Sequence, residues 1–339
     1  MIYSKGEILN FIKNTLECKE EDITIAPLKA SGNMTAKIED GGEATLLEVV
    51  VRGKEYVLKM KSTAFENSVG IAMNYYDSED FLESFNRGKY IFYIRNNYDR
   101  ESKVYSAFSE IKEYLPKVYG AQSDDYRSIL LIEKVEISRL PKNKELALVL
   151  KKLHAVYSTE EGAKKIGANL HEREDYLKAT HLSRALLESI GKVYPTFPGK
   201  ILDTARGVVE DYGALYDKMT NYRRVVCHGD CTINNMTTAP TLKLYDLELS
   251  TYNNPEFDLV SYLVHYPTRI RKKEVEEFLS CYYGGEDYMS SKKEVLSLNL
   301  IIYFVTRFHA MMMISKKVDM PYMPTSIDNF IYLFQLFGL

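Results

Sequence analysis

Apolar residues Ile8, Ile12 and Leu16 recur at helical spacing near the start of the chain, which predicts an amphipathic first helix. Lys5, Glu7 and Lys13 interrupt that stretch and break any signal-peptide core. Between residues 22 and 60 the period changes. Ile23-Thr24-Ile25, then residues 44–51, then Tyr56-Val57-Leu58-Lys59 are β-rich runs separated by the turn-forming Ser31-Gly32-Asn33, Gly41-Gly42 and Gly53-Lys54. These runs predict an antiparallel meander. Val104, Tyr105, Phe108 and Ile111 return to one helical face over 101–111, and Val118-Tyr119 and residues 129–132 add two strands around Ser123-Asp124-Asp125. The expectation is a five-stranded sheet with one main helix.

From about residue 145 the pattern is largely helical, over 145–157, 172–192, 199–219, 255–266, 272–283, 290–316 and 325–337. One interruption stands out. Residues 223–227 and 242–246 read as two short strands flanking the polar segment 228–240, a hairpin set into the helices. The fold class is therefore α+β, with a sheet lobe over 1–135, an insertion at about 65–98, and a helical lobe over 136–339.

Composition narrows the class. With 339 residues, 45% hydrophobic and 27% charged, 18 Gly and 10 Pro, the chain is globular rather than disordered or collagen-like. Its 44 Lys and Arg against 47 Asp and Glu leave a formal charge of −3, so no global field favours nucleic acid or an anionic membrane. The longest apolar run, residues 300–305, is far short of the roughly 20 residues that span a bilayer. Four scattered cysteines, Cys18, Cys227, Cys231 and Cys281, do not form a disulfide framework, which points to free thiols and the cytoplasm.

The sharpest chemical signal is His228-Gly229-Asp230-Cys231-Thr232-Ile233-Asn234-Asn235, followed by Leu244-Tyr245-Asp246-Leu247-Glu248. Asp230 and Asn235 have the spacing of the H-R-D-x-x-x-x-N loop of protein kinases, with Gly229 in the arginine position, and Asp246 stands where a metal-binding aspartate follows. A carboxylate facing an alcohol can orient it and take its proton, which suits Asp230. Mg²⁺ prefers hard oxygen donors, which suits Asn235 and Asp246. Each of the three could instead cap a loop or strand end, but their order and spacing together favour chemistry.

On HGDCTINN and YDLE the chain resembles the aminoglycoside phosphotransferase and choline kinase-like superfamily, over roughly residues 20–285. The resemblance implies a two-lobed protein-kinase-like fold. It also implies transfer of the γ-phosphate of ATP or GTP, with Mg²⁺, to the hydroxyl of a small-molecule acceptor. The site residues it implies are Asp230 as the catalytic carboxylate and Asn235 and Asp246 as metal ligands, with His228 supporting the loop and Asp258 bracing it. Lys59 on the strand ending Tyr56-Val57-Leu58-Lys59 would reach the α/β-phosphates, with Lys61 on the same face as its competitor. Glu101, in Arg100-Glu101-Ser102-Lys103-Val104-Tyr105, would hold that lysine, unless Glu79 or Glu83 begins the relevant helix.

Ser31, Gly32 and Asn33 lie where a phosphate-covering loop belongs but lack G-x-G-x-x-G and fit an ordinary hairpin turn as well. Glu133 and Val135, in Leu131-Ile132-Glu133-Lys134-Val135, resemble the inter-lobe linker that meets the purine. His154 reads as packed core. Glu248 reads equally as a neighbour of the metal and as a strand-end acid. Cys227, His228 and Cys231 crowd together without a second Cys or His pair to complete a zinc site. Tyr75, Tyr76, Tyr90 and Tyr93 could form a lid at the cleft mouth or simply cover the sheet. Two rivals stand beside the small-molecule kinase: a protein kinase, which would need H-R-D, D-F-G and A-P-E segments, and a catalytically silent kinase-like scaffold, which would lack Lys59, Asp230, Asn235 or Asp246. The identity of the acceptor and the oligomeric state leave no mark on the sequence.

Overall fold

The first helix, α1 (Lys5–Leu16), starts where Ser4 can cap it: the Ser4 hydroxyl accepts the Glu7 N–H at 3.3 Å and the Glu7 carboxylate accepts the Ser4 N–H at 2.7 Å. The computed structural model describes residues 3–28, 44–62, 100–124, 127–135, 141–168, 187–237, 241–285, 287–315 and 320–339. Ser31, Gly32, Asn33, Glu79, Glu83 and the tyrosine-rich segment 75–98 lie outside the described residues.

Strands β1 (Ile23–Pro27), β2 (Ala44–Val51), β3 (Lys54–Ser62), β4 (Val118–Ser123) and β5 (Arg127–Glu133) form one antiparallel sheet in the order β1-β2-β3-β5-β4, the five-stranded sheet expected. Period-two alternation divides its faces. Tyr56, Leu58 and Met60 of β3 pack with Ile129 and Leu131 against Ile8 and Ile12 of α1. The opposite face carries Val57, Leu130 and Ile132, which join Val104, Tyr105 and Phe108 in the core that continues through the helical lobe. A polar side chain on this second face, such as Lys59, therefore points into the space between the sheet and the helices.

The helix predicted over 101–111 divides. α2 (Arg100–Ala107) is followed by a 3₁₀ segment, Ser109–Tyr114, whose tighter turn keeps Phe108, Ile111 and Leu115 buried together. In the helical lobe come α3 (Asn143–Val156) and α4 (Glu160–Lys165), and residues 187–193 are also helical. The single helix expected over 199–219 is two, α5 (Gly199–Glu210) and α6 (Tyr212–Thr220), because Asp211 leaves helical geometry and its side chain accepts the Ala214 N–H at 3.0 Å.

The expected hairpin is corrected. β6 (Val225–Cys227) pairs with β9 (Thr251–Asn253), while β7 (Met236–Thr237) pairs with β8 (Lys243–Leu244), so the two predicted strands do not pair with each other. Segments of two or three residues carry no alternation from which pairing could be read. Then follow α7 (Glu256–Val264), α8 (Lys272–Tyr283), α9 (Tyr288–Ser291), α10 (Lys293–Tyr303), one π-helical turn (Phe304–Phe308), α11 (His309–Ile314) and α12 (Met323–Leu336). The π turn interrupts the helix expected over 290–316. Side chains engage carbonyls at its N-terminal end: Thr306 Oγ1 donates to Ile302 O at 2.6 Å and His309 Nδ1 donates to Phe304 O at 2.7 Å. Among the described residues no helix is long and apolar enough to cross a membrane.

Two histidines of this lobe make the fold acid-sensitive. Burial pushes His265, hydrogen-bonded to Tyr303 and Ser326, down to about 3. It pushes His309 down to about 4, against the opposing bond to Phe304. Both stay neutral in the fold while the unfolded chain binds protons below the ordinary value of 6.5, so stability is complete above that value and falls as pH drops toward 4. The expected slope is up to about 2.7 kcal/mol per pH unit for the two groups together. Asp230 and Glu256, which burial raises, work in the opposite direction. Denaturant unfolding between about pH 7 and pH 5 checks this, and His265→Gln should remove roughly half of the slope.

Candidate active site

Lys59 lies between Leu46 and Leu130 in the sheet register and is 9% exposed. Its ammonium meets Glu101 Oε2 at 3.0 Å, Asp246 Oδ1 at 2.5 Å and Glu248 Oε2 at 2.8 Å. Glu101 stands in the first turn of α2, where a carboxylate also suits the helix dipole, and it is 4% exposed. Burial acts against the Lys59 charge, but Asp246, Glu101 and Glu248 outweigh it and push its pKa well above the ordinary lysine value. Glu248 is thus part of this cluster, in the 3₁₀ turn Leu247–Leu249 rather than at a strand end.

Asp246 sits in the left-handed region at φ 63°, a conformation that aspartate tolerates better than most residues. Its N–H donates to the Tyr105 hydroxyl at 3.1 Å, a tie between α2 and this turn. Tyr105 closes the Arg100-Glu101-Ser102-Lys103-Val104-Tyr105 run of the sequence, but its contact with Asp246 was not read there. The carboxylate oxygens of Glu101, Asp246 and Glu248 lie within 4.8 Å of one another, a set of hard donors that fits Mg²⁺.

The loop from His228 to Asn235 is held by directed bonds. Asn235 Nδ2 donates to the Asp230 carbonyl at 2.9 Å and to Asp230 Oδ2 at 2.7 Å, which turns the amide oxygen of Asn235 away from Asp230. His228 Nε2 donates to the Tyr245 carbonyl at 3.0 Å, and its Nδ1 accepts the Asp230 N–H at 3.3 Å. Both ring nitrogens are thereby used, and burial lowers the ring's pKa, so His228 is a neutral support of the loop. Asp258 accepts the N–H of His228 at 2.7 Å and of Gly229 at 2.9 Å. It also accepts Nε2–H of His154 at 3.0 Å, while Tyr282 donates to His154 Nδ1 at 2.8 Å. Burial alone would raise the Asp258 carboxyl; His154 and these backbone donors hold it below its ordinary value. His154 is core, as expected, and braces the loop through Asp258.

Gly229 has φ 85°, and a Cβ there would fall 1.9 Å from the Leu249 carbonyl oxygen. The arginine of H-R-D therefore cannot occupy this loop as it is folded. Burial pushes the Asp230 carboxyl up, opposed by the Arg307 charge, by His228 and by the bond from Asn235. Arg307, from the π turn, carried no sequence signal.

At the end of β5, the Glu133 N–H donates to the Lys117 carbonyl at 2.8 Å. Its side chain accepts from Lys243 at 2.6 Å and from the Lys117 N–H at 3.0 Å. Burial would raise this carboxyl, and Lys243 and Lys117 hold it below the ordinary value. The Lys243 bond, which the sequence did not suggest, fastens β5 to β8. Val135 follows β5 and is half-buried. The fold thus gathers Lys59, Glu101 and Asp246 in one cluster, and Asp230 and Asn235 in one hydrogen-bonded pair.

No curated protein sequence matches the chain. Among solved structures it is similar to the choline kinase LicA from Streptococcus pneumoniae, with 15% identity, 98% of this chain and 99% of that one covered, and a TM-score of 0.57. It is also similar to a spectinomycin phosphotransferase solved with ADP and spectinomycin, with 12% identity, 99% and 95% coverage and a TM-score of 0.57. A third is an ethanolamine kinase of Plasmodium vivax, with 13% identity, 93% and 83% coverage and a TM-score of 0.54. These likenesses establish the two-lobed, kinase-like α+β fold. The profile of the phosphotransferase enzyme family matches residues 81–290, more than half of the 339 and inclusive of the whole loop from His228 to Glu248. With fold and sequence in agreement, the chain belongs to the phosphotransferase enzyme family.

Proposed function

We propose that this phosphotransferase is a small-molecule kinase, which moves the γ-phosphoryl group of ATP or GTP to an alcohol. The observation that carries the reading is the meeting of Lys59, Glu101 and Asp246, far apart in sequence, within 3.0 Å of one ammonium. Lys59 would bind the α/β-phosphates, with Glu101 holding its ammonium in place. Ser31, Gly32 and Asn33 would cover the phosphates, and the backbone at Glu133 and Val135 would meet the base. Asp246 and Asn235, with Glu248 beside them, would hold Mg²⁺, which when bound neutralises phosphate charge.

Asp230 would orient the acceptor hydroxyl and take its proton as the alcohol oxygen bonds to the γ-phosphorus and the bond to the β–γ bridging oxygen breaks. The nucleoside diphosphate leaves with that oxygen. The loop bonds through His228 and Asp258 fix the Asp230 backbone. The neighbour solved with ADP and spectinomycin combines a nucleotide with a small molecule, which supports the same pairing here.

The test is turnover of ATP and GTP with Mg²⁺ and a panel of small alcohols. Lys59→Ala should lower kcat/KM for nucleotide by about 10²-fold or more, and Lys61→Ala by less than about threefold. A larger loss for Lys61 would reassign the phosphate lysine, and a chain that transfers phosphate to no alcohol would be a scaffold.

A further inference from the structure

Arg307 is 3% exposed, and its Nε and Nη1 are buried without a hydrogen-bond partner among the described residues. Its guanidinium carbon lies 5.3 Å from the centroid of the Phe257 ring. Phe257 directly precedes Asp258, the carboxylate that carries the backbone of His228 and Gly229. The π turn thus sets an arginine against the base of the catalytic loop. Its charge acts on Asp230 and His228, whereas the charges acting on Lys59 are those of Asp246, Glu101 and Glu248. Through Phe257 and its neighbour Asp258, Arg307 is tied to the segment that carries the backbone of His228 and Gly229.

A guanidinium withdrawn from water without a paired anion is costly, and its planar fork of donors matches a carboxylate or phosphate. No carboxylate among the described residues comes within 4.0 Å of Arg307. We propose that the acceptor carries an anionic group, a carboxylate or phosphate, beside the hydroxyl that is phosphorylated, and that Arg307 binds this group with its plane held over Phe257. The proposal rests on the kinase reading and deepens it. It sets this chain apart from the choline and ethanolamine kinases it resembles in fold.

The test measures binding of glycerate, glycerol 3-phosphate, glycerol and choline to the full chain by calorimetry, with and without Mg²⁺ and ADP. The expected result is that one or both anionic probes bind at least about tenfold more tightly than glycerol and choline. Glycerate against glycerol 3-phosphate tells carboxylate from phosphate. Arg307→Met should abolish the preference while ADP affinity changes by less than about twofold, and Arg307→Lys should keep part of it. Glycerol or choline binding as well as both anions, or no binding of either anion, overturns the proposal. So does an unchanged preference in Arg307→Met, which would leave Arg307 as a counter-charge to Asp230 within the fold. If Arg307→Met does not fold, Arg307→Lys decides, since its single ammonium should weaken anion binding by about threefold or more and unchanged affinity is a refutation. Failure of the kinase reading itself has a different signature, ADP binding that ignores Mg²⁺ in the absence of any probe.

Discussion

Asp230→Asn should lower turnover by ~10²–10⁴ while nucleotide affinity moves by less than about twofold. The amide has the size of the carboxylate, and its oxygen can face Asn235 Nδ2 and keep the 2.7 Å bond, so the loop retains its shape. What remains toward the acceptor is an NH₂ group, which cannot take a proton. Because burial already raises the Asp230 carboxyl, a neutral amide is tolerated in this place and Tm should change little. Steady-state kinetics with calorimetric titration of nucleotide separates the two effects. Turnover near the wild-type value would remove Asp230 from the reaction.

Asp246→Ala should weaken Mg²⁺-supported nucleotide binding by about 10²-fold or more, through loss of a hard oxygen donor. Two other consequences must be told apart from this one. Lys59 loses one partner but keeps Glu101 and Glu248, so the cluster survives. Alanine at φ 63° also costs about 1–2 kcal/mol in backbone strain, whereas asparagine adopts that region more readily. Asp246→Asn is the control: it should fold like the wild type and still lose most of the Mg²⁺ dependence. Equal Mg²⁺ dependence in calorimetry for wild type and Asp246→Asn would contradict the assignment.

The sheet and its lysine were legible because alternation on β3 separates Leu58 and Met60 from Val57 and Lys59, and the register leaves Lys59 one place to point. Glu101 was legible as an acid opening a helix whose apolar face, Val104, Tyr105 and Phe108, is the core side. The pairing of β6 with β9 was not, since three residues have no period. The π turn was hidden for the opposite reason, an apolar pattern that runs on through residues 300–305 as though one helix continued. Arg307 and Lys243 acquire their settings only from chain segments remote in sequence, the catalytic loop for one and the end of β5 for the other.

Gly229 also governs how the gene can change. Every single-base substitution in a glycine codon that alters the residue introduces a Cβ or ends the chain, and at this site a Cβ would lie 1.9 Å from the Leu249 carbonyl oxygen. The position has no neutral residue-changing neighbour in codon space. Departure from glycine requires a second, compensating change that moves the turn carrying Leu249, and that same turn carries Glu248. Drift in the loop is thus tied to drift in the carboxylate cluster, and suppressors of a Gly229 substitution should map to residues 247–250 rather than to the loop itself.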